Sequence, residues 1–143
     1  MSKHFANARW EGNLPKGNGK FTLKTSGYEG AYSFPSRFEN DKQKSSPEEL
    51  IGAAHAACFS MAFANSLDQA GFTPVSIETE AEVTLDKTDA GFAITEILLK
   101  TKGKVEGVDK DKFLEIAGDA KKNCPVSKAL EAVKINLVAE LVS

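Results

Sequence analysis

The sequence predicts a single domain that mixes strands and helices, on three observations. Its 143 residues are enough for one core, since a chain of this size hides about 70% of the surface its unfolded form exposes. Residues 77–85 and 133–141 alternate apolar and polar side chains at the period of a strand with one buried face. Residues 51–67 carry no formal charge and follow a helix-start signal, which marks a buried helix just under membrane-spanning length.

The first part of the chain reads as short strands at residues 8–11, 20–25 and 30–34, punctuated by glycines and able to form a meander. Gly12 to Gly17 has the glycine spacing of a phosphate loop. Asn18-Gly19 stands where such a loop needs Lys-Ser or Lys-Thr, so that motif is set aside. Residues 37–46 read as a polar connector. Ser46-Pro47-Glu48-Glu49 then supplies a cap, a proline suited to the first helical position and the glutamate of a capping box. The helix should run to about Ala70, where Gly71 can take the left-handed conformation and Pro74 stops it resuming. Apolar and small residues fall on all its sides, so a wrapped sheet or a partner subunit must cover it.

The strand at 77–85 is followed by a turn cluster at 86–91 and a second strand at 92–101, a long hairpin. Asp109 caps a second helix through Phe113, Leu114, Ile116, Ala117 and Ala120, which breaks before Cys124-Pro125. Pro125 opens a short helix through Ala132, and Val133 to Leu141 closes the chain as a strand.

Charge narrows the partners. Eighteen Lys and Arg against 20 Asp and Glu leave a net charge of −2 with no basic run, which argues against nucleic acid and against a polybasic membrane surface. Met1-Ser2-Lys3-His4-Phe5 lacks the apolar core of a secretory signal, so a cytoplasmic location is expected. In that reducing compartment the two cysteines, Cys58 and Cys124, are inert, catalytic or redox-sensing rather than a permanent staple.

Taken singly, each candidate residue has an ordinary explanation. Cys58 is mid-helix, where burial raises a thiol's pKa and the helix N-terminus gives no help, so a reactive Cys58 needs a cation from elsewhere. Cys124 has the better local electrostatics, preceding the helix that Pro125 opens. His55 shares a helix face with Cys58, as half a metal site, a base or simply a buried hydrogen-bonded histidine. His4 and Cys124 are the remaining His and Cys ligands, so a structural zinc site would need a carboxylate, and no metal is expected. Glu48 and Glu49 suit the first turn of a helix, and Arg37 reads as a loop cation.

The combination is more specific. Residues 46–61, Ser-Pro-Glu-Glu-Leu-Ile-Gly-Ala-Ala-His-Ala-Ala-Cys-Phe-Ser-Met, with Asn123-Cys124-Pro125-Val126-Ser127, closely resemble the osmotically induced protein C and organic hydroperoxide resistance (OsmC/Ohr) family. Trp10-Glu11-Gly12, Ser36-Arg37-Phe38-Glu39 and Leu85-Asp86-Lys87 with Gly91-Phe92-Ala93-Ile94-Thr95 resemble its OsmC branch. The resemblance implies one OsmC-like domain over residues 1–143, of α+β class, with mainly antiparallel sheets wrapped around long central helices in an intertwined homodimer. It implies a thiol peroxidase of the oxidative and hyperosmotic stress responses, without cofactor or metal, acting on organic hydroperoxides and more weakly on hydrogen peroxide. Cys58 matches the peroxidatic cysteine, Cys124 the resolving cysteine, Arg37 the arginine that contacts the thiolate and Glu48 the glutamate that holds it. The reductant implied is an external dithiol such as a lipoylated carrier or small thiol.

Ten positions separate Glu48 from Cys58, about 15 Å along a straight helix. Either the helix breaks between them, or Arg37 and Glu48 reach Cys58 from the other subunit. A non-catalytic redox sensor and a cysteine hydrolase using His55 are the alternatives to a peroxidase.

Overall fold

Three short strands open the chain as an antiparallel meander, β1 (Ala6–Glu11), β2 (Asn18–Leu23) and β3 (Tyr28–Tyr32), in the order β1-β2-β3. In the computed structural model, which describes residues 1–143, they belong to the unit Met1–Leu50, and Ile51–Ser143 forms a second unit. Each strand begins about two residues earlier than the glycine pattern suggests. The turns set the register, with the Gly17 N–H donating to Asn13 O and the Gly27 N–H to Leu23 O. Gly19 pairs with both Trp10 and Tyr32, whose rings lie 5.7 Å apart. A Cβ on Gly19 would come 2.5 Å from the Tyr32 ring, so the close approach requires glycine.

The expected end of the third strand is instead a short helix, α1 (Phe34–Phe38). Ser33 caps it, and Ser33 and Ser36 complete a reciprocal capping box, with Pro35 in the first turn. Arg37 therefore sits in the last turn of a helix and not in a loop. The Ser36 hydroxyl also donates to Ser45 O at 2.6 Å, and the Ser45 N–H donates to Ala31 O, which ties the connector to β3 and α1.

The long helix α2 (Pro47–Gln69) begins as expected, with the Glu49 N–H donating to Ser46 Oγ. The Glu49 carboxylate accepts from the Ser45 hydroxyl, so the half of the expected capping box that Glu49 would supply is turned to Ser45. At the other end Gly71 takes a φ of 91°, the Phe72 N–H donates to Leu67 O and the Gly71 N–H to Asp68 O. These two bonds make a complete Schellman stop. With 23 residues, α2 spans the length expected from its start and stop signals, and by length and composition alone it is long and apolar enough to cross a membrane. Its stripe Gly52, His55, Phe59, Phe63 and Leu67 is buried within the second unit.

Its Phe59, Phe63 and Leu67 pack in a core with Ile97, Leu99, Phe113, Ile116, Ala117 and Ala120. The hairpin supplies one wall, β4 (Pro74–Thr88) and β5 (Gly91–Val105), longer than expected because pairing continues until Asp89-Ala90 alone make the turn. From β5 the chain crosses through α3 (Lys110–Asn123) and α4 (Pro125–Ala129) to β6 (Lys134–Val142), which pairs parallel to β5. A parallel pair needs such a crossover. Asp109 caps α3 through the Lys112 N–H at 2.8 Å, while Leu114, assigned by spacing to the core, lies exposed. Phe113 meets Phe63 edge to face at 5.1 Å, locking α3 against α2. The sheets are antiparallel except for the β5–β6 pair, and the fold is α+β.

Candidate active site

The four expected residues form two pairs. In the first unit, Arg37 Nε lies 3.0 and 3.2 Å from the two oxygens of Glu48, and Nη2 lies 2.7 Å from Oε1. Glu48 is held in the first turn of α2, where a carboxylate also suits the helix dipole. The Arg37 side chain is 39% exposed against 9% for Glu48, so the anion is covered and part of the cation is left accessible. The guanidinium carbon lies 5.1 Å from the centre of the Phe38 ring.

In the second unit the Cys58 and Cys124 sulfurs lie 3.0 Å apart, both as free thiols. Cys58 is half-buried on α2, and Cys124 is fully buried where α3 ends and α4 begins. Burial pushes the Cys58 thiol up, and the hydrogen bond it shares with Cys124 raises it further. Cys124 is buried too, yet its pKa is lowered: the Cys58 thiol, the Ser127 N–H and hydroxyl, and the Val126 N–H together outweigh desolvation. The sulfur–sulfur geometry admits Cys124 as the donor. The Ser127 N–H already donates to Cys124 Sγ at 3.4 Å, which favours Cys58 as donor and Cys124 as the sulfur that holds negative charge. Within this unit Cys58 is therefore poorly activated, as its mid-helix position leads one to expect, and the better-activated thiol is the one next to Pro125.

His55 is buried with no exposed surface, and its Nε2 lies 2.7 Å from the Ser127 hydroxyl. Its Nδ1 is buried without a partner, and burial lowers its pKa. The expectation of a buried, hydrogen-bonded histidine holds. Neither ring nitrogen is hydrogen-bonded to Cys58: Nε2 meets Ser127, and Nδ1 has no partner. Ser127 falls within the Asn123–Ser127 motif but has no role assigned from the sequence. The signal was present: it stands at the third position of a helix capped by Cys124, where an N–H points back at the cap.

A family described as OsmC-like protein matches residues 40–138. Peroxiredoxin OsmC of Escherichia coli (strain K12) is 52% identical over 126 residues, covering 87% of each chain. Organic hydroperoxide resistance protein OhrB of Bacillus subtilis (strain 168) is 31% identical over 98 residues, covering 66% of this chain and 68% of OhrB. The crystal structure of an organic hydroperoxide resistance protein from Elizabethkingia anophelis superposes with a TM-score of 0.79 at 20% identity, covering 99% of both chains, which fixes the fold as OsmC-like. The meander, the long cysteine-bearing helix and the hairpin with its parallel sixth strand are thus those of a known group, and the chain belongs to the OsmC-like protein family.

Proposed function

We propose that this chain is a cysteine-based peroxidase that reduces organic hydroperoxides, and hydrogen peroxide more weakly, using Cys58 and Cys124. The observation that carries this reading is the 3.0 Å approach of a half-buried thiol to a fully buried one. The Cys58 thiolate attacks the terminal peroxide oxygen, the O–O bond breaks, and the alkoxide leaves as an alcohol after protonation. Cys58 is left as a sulfenic acid. Cys124 gives its electron pair to the Cys58 sulfur and its proton to the departing hydroxide, so a disulfide and water result. An external dithiol, which the resemblance suggests is a lipoylated carrier or a small thiol, then reduces the disulfide and is itself oxidised.

Arg37 is the cation Cys58 lacks. Its fork can face a thiolate and a developing alkoxide together, and Glu48 holds it in place. We assign the pair to a site shared across a homodimer, with Arg37 and Glu48 from one chain and Cys58 and Cys124 from the other. Two observations support this arrangement: α2 is unbroken from Pro47 to Gln69, and its Ala53, Ala57 and Met61 face is exposed, with Met61 at 76%. A second copy of the same helix would cover that face. The family match runs across the boundary between the two units, which supports reading residues 1–143 as one functional domain. The free thiols suit the cytoplasm.

The test is consumption of tert-butyl or cumene hydroperoxide with dithiothreitol or dihydrolipoamide as reductant. Sustained turnover supports the peroxidase. Oxidation that stops after one equivalent supports a sensor, and ester or thioester cleavage without peroxide consumption supports a hydrolase.

A further inference from the structure

The mechanism above leaves one buried pair without a job, His55 and Ser127. His55 reaches from the buried stripe of α2 to Ser127 on α4, 72 positions away in sequence, at 2.7 Å. A short histidine–serine bond in a core is costly to build, and its other nitrogen is left without a partner. An unpaired acceptor is easier to bury than an unpaired N–H, so the neutral ring carries its proton on Nε2 and donates to Ser127 Oγ. The Ser127 hydroxyl then has its own hydrogen to give. Its backbone N–H already points at Cys124 Sγ, at 3.4 Å, and its hydroxyl is among the groups that hold that thiol's pKa down.

We infer that His55 is a positioning residue for the disulfide chemistry, orienting the Ser127 O–H toward Cys124 so that this sulfur is stabilised whenever it carries negative charge. The inference rests on the peroxidase reading for its biological use, but the chemistry it describes does not need a peroxide. Cys124 carries charge at two moments. As the nucleophile, it attacks the Cys58 sulfenic acid. As the leaving group, it departs when a dithiol thiolate attacks the disulfide at the accessible Cys58 sulfur: the new bond forms to Cys58, the Cys58–Cys124 bond breaks, and Cys124 leaves as a thiolate that takes its proton from solvent. A lower-pKa thiol leaves faster. The charged side chains that line one cavity with Ser127 are Lys121 and Lys122 at the end of α3, Lys128 on α4 and, just beyond α4, the carboxylate of Glu131. The Lys121 ammonium donates to Ile135 O, on β6.

Two measurements on the full chain decide the matter. In the first, hydroperoxide oxidises the reduced protein, and the ratio of disulfide formation to Cys58 oxidation is followed by dimedone-type trapping and mass spectrometry. In the second, the disulfide is formed with diamide, with no peroxide present, and its reduction by dithiothreitol is timed. Ser127→Ala should lower both the ratio and the reduction rate roughly tenfold, the scale of a hydrogen bond to a charged acceptor. His55→Leu, which removes only the orienting bond, should lower both by about threefold. Ser127→Thr, which keeps the hydroxyl, should stay close to the unmodified chain. The inference is overturned if Ser127→Ala reacts at the unmodified rates, if Ser127→Thr is impaired as much as Ser127→Ala, or if His55→Leu has no effect. Failure of the unmodified chain to be oxidised by hydroperoxide would instead remove the peroxidase reading, and the diamide measurement would still decide the role of His55 and Ser127.

Discussion

In residues 1–50 the candidate chemistry is charged and near the surface, whereas in residues 51–143 it is neutral and covered. Arg37 and Glu48 are held by three contacts of 2.7 to 3.2 Å, with the guanidinium left 39% exposed. Cys58 and Cys124 are held by a core of aromatic and aliphatic side chains, and burial pushes the Cys58 thiol up, away from the thiolate. The difference shows how the tasks are divided. A cation is cheap to keep where water still reaches it, and a thiol pair that must meet at 3.0 Å needs rigid packing. Each region supplies what the other's surroundings forbid.

The sharpest way to break this comparison is to remove one sulfur at a time. Cys58→Ser should abolish peroxide consumption, whereas Cys124→Ser should retain one turnover and accumulate a sulfenic acid that a dimedone-type probe captures. Sustained turnover by Cys58→Ser would show that the thiol region is not where the chemistry happens.

Next in size is the effect of the cation on the thiol. Arg37→Ala should shift the pH midpoint of Cys58 alkylation upward by about one to three units, the range an adjacent opposite charge commands. Because the Glu48 side chain is only 9% exposed, the same variant leaves a buried carboxylate unpaired, at a cost of about 1–3 kcal/mol. That is more than an exposed surface ion pair contributes. The alkylation must therefore be read well below the melting temperature. An unshifted midpoint would separate the two regions functionally. Mixing inactive Cys58→Ser and Arg37→Ala chains should restore one of two shared sites per heterodimer. Confirmed chain exchange without returning activity would defeat the shared arrangement.

The sequence made much of this visible, and the gaps have physical causes. The helix start at Ser46, its stop at Gly71 and the period-two strands were legible because capping and alternation are local. α1 was hidden because Phe34 continues the strand alternation, while the Ser33–Ser36 box that ends it lacks the usual glutamate. The parallel β5–β6 pairing leaves no local mark, since each strand reads alike in either direction. Cys58 and Cys124 are identifiable through their flanking motifs, and Ser127 through its place in the first turn behind Cys124, but the bond from Ser127 to His55 is not. A contact across 72 positions has no periodicity to betray it.

A smaller effect distinguishes the covered region by pH. The pKa of His55 is lowered by burial, so the unfolded chain binds more protons than the folded one as pH falls below the ordinary histidine value of about 6.5. Stability should be fully present above that value and decline as pH drops toward the folded-state pKa. Denaturant titrations across this window should show the slope, and His55→Leu should remove its histidine component even if it lowers stability overall. An identical slope in both chains would mean that the buried ring is not the group being titrated.

The smallest expected change tests whether the thiol region can be stiffened without touching its chemistry. Gly118 lies in the interior of α3, and a Cβ built there meets nothing within 4 Å. Glycine in a helix loses more backbone freedom on folding than alanine does, and no close approach here requires its small size. Gly118→Ala should therefore stabilise the protein by about 0.5–1 kcal/mol, seen as a higher melting temperature or denaturant midpoint. Because α3 ends at Cys124, the variant also asks whether tightening that helix alters the meeting of the two sulfurs. Peroxide turnover equal to the unmodified chain, at a raised midpoint, would show that the thiol geometry is already set by the Phe63–Phe113 core. A drop in turnover would mean that α3 must yield during the reaction, and that the covered region is less rigid than its packing implies.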